Sequence, residues 1–102
     1  MKLKVRTRVI HPGKVILNIL AENKISQNAL AKHLGCSQSH INLICKRRKG
    51  ISSSIALRLA CFFGTSPEMW LNMQDAWNLA FYYKKLHKQL TKIKPLDKRK
   101  KK

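Results

Sequence analysis

Gln38, Ser39, Asn42 and Leu43 lie at helical spacing and carry the groups needed to read the edge of a base pair. The amides of Gln38 and Asn42 both donate and accept, which matches an adenine edge in the major groove. The Ser39 hydroxyl serves either kind of base edge, and Leu43 can meet a thymine methyl. Gln27 stands at the start of the preceding predicted helix, where helix N-termini meet phosphates. Lys46, Arg47, Arg48 and Lys49 follow at once and can hold a sugar–phosphate backbone. Each group also has a plainer reading: Gln, Ser and Asn line any solvated helix, and a basic turn is often only a solvated turn.

Catalysis finds little support. The chain has four acids (Glu22, Glu68, Asp75 and Asp97), with no paired-carboxylate or Ser-His-acid arrangement, so an enzyme is not expected. His33, Cys36 and His40 have metal-ligand side chains, but Cys36 falls in a tight turn where a small apolar group normally packs. Neither a metal nor a cofactor is expected. Three cysteines without paired spacing read as reduced thiols of a cytoplasmic protein, with Cys45 and Cys61 as small core residues. The basic N-terminus is followed by an apolar stretch broken at Asn18, without a convincing cleavage site, so no signal peptide is expected, and no apolar run is long enough to span a bilayer.

Charge dominates the composition. In 102 residues, 22 Lys or Arg oppose four Asp or Glu, a formal charge of +18 that attracts polyanions such as nucleic acid or an anionic membrane surface. The length fits one small domain with a modest core.

The elements that must position the reading residues follow from periodicity and punctuation. Residues 2–10 alternate, with Lys2, Lys4, Arg6 and Arg8 on one side and Leu3, Val5, Thr7 and Val9 on the other. This predicts an extended arm or edge strand, or else a frayed basic terminus. His11-Pro12-Gly13 opens a first helix, with Ile16, Ile19 and Leu20 inward, ending near Asn23 or Lys24. Ser26 caps a second helix that carries Leu30, Ala31 and Leu34 and stops at Gly35. Ser37 caps a third, with Ile41 and Ile44 inward. Ser52 or Ser53 caps a fourth, which buries Ile55, Ala56, Leu59, Ala60 and Phe63 and ends at Gly64. Ser66-Pro67-Glu68 starts a fifth that carries Trp70, Leu71, Trp77 and Phe81 to about Leu90. The fold class is all-α: a domain over residues 11–90, an arm over 1–10 and a basic tail over 91–102. Trp70, Trp77 and Phe81, spaced seven and four apart, suit a core or a dimer interface better than a ligand pocket.

The second and third predicted helices form a helix-turn-helix over Ser26 to Arg47. Ala31 on the second helix lets the third approach, Gly35 makes the turn, and Ile41 and Ile44 lock the reading helix down. With the stretches HPGKVIL at 11–17, SQNALAKHLG at 26–35 and ISSSIALRLACFFGTSPEMWLNMQ at 51–74, the chain resembles the HigA-type antitoxins of the lambda-repressor-like superfamily over about residues 11–80.

That resemblance implies a five-helix homodimer that binds a palindromic DNA operator, usually its own promoter. It also implies a HigB-type partner toxin, a small ribosome-dependent mRNA endonuclease held inactive. It places the recognition helix on Ser37, Gln38, Ser39, His40 and Asn42, with Ser37 toward bases and His40 toward phosphate. Gln27 takes the phosphate contact of the second helix, and the dimer contacts fall around Trp70, Trp77 and Phe81. The family commonly has Asn-Gly after the recognition helix, where this chain has Lys46-Arg47, and it usually ends without so basic a tail. An orphan regulator, or a non-specific nucleic-acid binder driven by that tail, are the alternative readings.

Overall fold

Serine hydroxyls start four of the five helices. The Oγ atoms of Ser26, Ser37, Ser52 and Ser66 accept from the backbone N–H groups of Ala29, His40, Ile55 and Met69 at 3.0, 3.1, 3.2 and 3.1 Å. Each satisfies a donor that a helix start would otherwise leave open. The computed structural model describes residues 3–96; the expectations for Lys2 and for the tail from Asp97 onward lie outside them.

The helices are α1 (Pro12–Asn23), α2 (Gln27–Leu34), α3 (Gln38–Cys45), α4 (Ser53–Phe63) and α5 (Pro67–Leu90). The described residues contain no strand, so the alternation over residues 3–10 produces a segment without regular secondary structure or ladder partners. Val5 and Val9 are half-buried. Thr7 and Val9 line a groove with Trp77, Ala80 and Phe81 of α5.

α2 packs on α3, α1 on α3 and α5, and α4 on α2 and α5. The shared core is made by Ile16 and Leu20 of α1, Leu30, Ala31 and Leu34 of α2, Ile41 and Ile44 of α3, and Ile55, Ala56 and Leu59 of α4, with Ile51 and Trp70. Three of the expected inward residues differ, Ile19 of α1 being only partly buried against the core. Phe63 is likewise only partly buried, tilted against Trp70 at the edge of this core, and Cys61 is exposed on the outer side of α4.

Trp70, expected at a dimer interface, is 0% exposed inside its own chain, and its indole N–H donates to the Thr65 hydroxyl at 2.7 Å. A side chain enclosed by its own core has no surface left for a partner, so Trp70 is removed from that set.

Two close approaches set the position of α3. Gly13 lies so near the end of α3 that a Cβ there would overlap the Ile44 carbonyl. The absent side chain lets the start of α1 press on the C-terminal turn of the reading helix. At the other end of α3, the α2–α3 turn is held from α4. Arg58 donates through Nη1 to the Leu34 carbonyl at 2.6 Å and the Gly35 carbonyl at 3.3 Å, while its Nε donates to Ser54 Oγ at 3.3 Å. A cation on these open carbonyls also suits the negative end of the α2 dipole. Gly35 itself has φ 71°, the left-handed conformation that a tight α2–α3 turn needs.

Candidate nucleic-acid interface

Burying Ile41 and Ile44 forces the opposite side of α3 outward. Gln38, Ser39, Asn42 and Leu43 together line one open concavity on that side. Gln38 and Ser39 are exposed, Asn42 is half-buried and Leu43 is 38% exposed. The structure therefore gathers four of the five expected base-contact residues on one surface. Ser37 sits at the N-cap, its hydroxyl oxygen occupied by the His40 N–H.

Gln27 belongs to the same surface through a bond that spacing did not suggest. Asn42 Nδ2 donates to Gln27 Oε1 at 3.2 Å, joining the first residue of α2 to the middle of α3. The contact orients the Asn42 amide and sets Gln27 beside the reading helix. The signal for it was geometric: it needs the crossing of two helices, which neither helix alone encodes.

The basic turn is exposed throughout, from Lys46 to Lys49. Arg47 takes φ 61°. Here an arginine bears the left-handed strain, on the order of 1–2 kcal/mol, and contributes a cation. The turn is closed by the Arg47 N–H donating to the Ile44 carbonyl at 3.0 Å and the Arg48 N–H donating to the Leu43 carbonyl at 2.9 Å.

His40 sits differently from a simple phosphate ligand. Its ring is half-buried, and Nε2 is covered, with no hydrogen-bond partner among the described residues. Burial and then the positive charge of Lys49 lower its pKa, which favours the neutral ring. As placed, that nitrogen does not face outward.

Spacing alone also missed His11. Only 3% exposed, it caps α1: Nδ1 accepts from the Gly13 N–H at 2.9 Å, so a neutral ring carries its proton on Nε2. The ring stands edge-on to Trp77 with centroids 5.1 Å apart. Burial, with a smaller push from Arg47, lowers its pKa. Gln74, also buried, accepts from the Ile51 N–H at 2.9 Å and so anchors the segment that follows the basic turn.

No group of three metal-ligating side chains exists among the described residues. His33 stacks on Phe62 with centroids 4.7 Å apart. Burial raises the pKa of Cys36 and Cys45, with the Arg58 charge partly opposing it at Cys36, which keeps both thiols protonated. No helix of the described residues is long and apolar enough to cross a membrane.

An N-capped α2, a glycine turn and a reading helix pinned by Ile41 and Ile44 define a helix-turn-helix. A helix-turn-helix family, HTH_3, matches residues 16–70, and the chain belongs to it. Within that class its likeness is to HigA-type antitoxins. An addiction module antidote protein of the HigA family from Coxiella burnetii shares 41% identity, with 87% of this chain and 99% of that chain covered and a TM-score of 0.82. The Pseudomonas aeruginosa antitoxin HigA, solved with the higBA promoter, shares 39% identity, with 88% and 100% covered and a TM-score of 0.83. Virulence-associated protein I of Dichelobacter nodosus is 44% identical over 71 residues, which is 69% of this chain and 66% of that protein.

Proposed function

We propose that this protein is a sequence-specific transcriptional repressor and the antitoxin of a type II toxin–antitoxin pair. It binds a palindromic operator at its own promoter as a homodimer and neutralises a HigB-type mRNA endonuclease. The observation that carries this reading is the single outward surface formed by Gln38, Ser39, Asn42 and Leu43 on α3. Support comes from the similar Pseudomonas antitoxin, whose structure contains promoter DNA.

In this mechanism α3 enters the major groove. Gln38 and Asn42 pair with adenine edges, Leu43 packs on a thymine methyl, and Ser37 and Ser39 add shorter contacts. Gln27 and the cations Lys46 to Lys49 hold the flanking phosphates. Trp77 and Phe81 carry the dimer contact, which sets two reading helices about 34 Å apart. The protein performs no chemistry of its own and acts in the cytoplasm, on the nucleoid.

Footprinting on the DNA upstream of its own gene tests the reading. Protection of one palindrome supports the repressor, whereas uniform coverage assigns a non-specific binder. Gln38→Ala is expected to lower operator affinity by about 10- to 100-fold, the value of one amide–adenine pair, and to leave random DNA binding nearly unchanged. Equal loss on both DNAs overturns the role of Gln38. Co-expression with the adjacent gene product checks the antitoxin half: a neighbour that is harmless alone, or toxic despite this chain, removes it.

A further inference from the structure

The C-terminal end of α5 carries a charge pattern that the reading surface does not use. From residue 81 to the end of α5 at Leu90 no residue is buried, so these last turns are not enclosed by the core. Five lysines (Lys84, Lys85, Lys88, Lys92 and Lys94) lie between Asp75 and Asp97, and no acid occurs between those two. Lys84 and Lys88 stand one helical turn apart, and that spacing destabilises a helix when the charges are alike. With no carboxylate neighbour on this stretch, the Lys85 ammonium lies 5.8 Å from the ring centroids of both Phe81 and Tyr82. The rings face its positive charge with their electron-rich faces. The end of α5 therefore carries a self-repelling row of exposed cations that a bound anionic surface would neutralise. A second copy of this chain adds the same net charge of +18, although Lys84 and Lys85 share with Trp77 and Phe81 the groove proposed for the dimer contact.

We infer that Lys84, Lys85 and Lys88 form a second contact for the phosphodiester backbone of duplex DNA, separate from α3 and indifferent to sequence. The partner is DNA because phosphates spaced along a rod match cations spaced along a helix, and because the outward face of α3 already suits a duplex. Each lysine that neutralises a phosphate releases counterions, so the contact adds affinity and salt sensitivity to every sequence alike. This inference does not depend on which operator α3 reads, or on whether a toxin exists.

Binding of the full chain to a long random duplex, across a salt series, tests it. The triple variant Lys84→Gln/Lys85→Gln/Lys88→Gln is expected to flatten the slope of log affinity against log salt by about 2 to 3 for each protomer bound, since each lost phosphate contact removes about 0.9. The variant with arginine at the same three positions should restore the slope, which separates charge from any effect on the fold. The operator-to-random affinity ratio should stay as in the parent, whereas Gln38→Ala changes that ratio and not the slope. A slope unchanged in the glutamine variant overturns the proposal. So does a variant that keeps its DNA slope but loses binding to vesicles of anionic lipid, a result that would assign the lysines to a membrane surface.

Discussion

Gly13 and His11 illustrate how single residues set the reading helix from outside it. A methyl group at residue 13 collides with backbone, which cannot rotate away as a side chain could. Gly13→Ala is expected to cost on the order of 2–3 kcal/mol in urea unfolding and to weaken operator binding as α3 shifts. A loss below about 0.5 kcal/mol would mean that α1 slides freely. His11 supplies a pH dependence. Its folded-state pKa lies below the ordinary 6.5, through burial first and the Arg47 charge second. Above pH 6.5 the ring is neutral folded or unfolded, and its contribution is fully present. As pH falls below 6.5 the unfolded chain takes the proton first, and stability is lost until the folded value is passed. His40, lowered by burial and Lys49, moves the same way. The melting temperature should therefore drop between pH 7 and 5, and less so in His11→Asn, which keeps a capping side chain. An equal drop in both proteins would clear His11 of the effect.

At the scale of elements, the turn between α2 and α3 depends on α4. Arg58 bridges two carbonyls of that turn and the Ser54 hydroxyl, a fork that a lysine ammonium cannot reproduce. Arg58→Ala is expected to destabilise the fold by about 1.5–3 kcal/mol, the range for a hydrogen bond to a charged group, and to lower operator affinity. Arg58→Lys should recover only part of both. Full recovery in paired urea and operator titrations would reduce Arg58 to a simple charge. The helices themselves were readable in the residues: Ser26, Ser37 and Ser66 each stand where a cap was expected, and Gly35 and Gly64 end α2 and α4. Caps and stops are local, satisfied within three or four residues, which is why sequence exposes them. The segment before α1 was less readable, because alternation fits an edge strand and an unpaired basic arm equally well.

For the whole molecule, the proposed assembly rests on the outer face of α5. Phe81 is 51% exposed on α5, and Trp77 lies half-buried beside the groove that it lines. If these residues join two copies, Phe81→Glu should yield a folded monomer in sedimentation and lower operator affinity at least about tenfold, because one reading helix then binds alone. A variant that stays dimeric places the interface elsewhere. By itself the sequence determined the five helices, the serine caps of α2, α3 and α5 and the outward set Gln38, Ser39, Asn42 and Leu43, since 3.6-residue periodicity and terminal hydrogen bonds act over a few residues. Only the tertiary structure decided that Trp70 belongs to the core, that Cys61 faces out, that Gln27 bonds Asn42, and that Arg58 and Gly13 hold α3 from other helices. Those outcomes depend on which helix faces cross and how closely. Such distances are set by packing among residues far apart in the chain, beyond the reach of any local pattern.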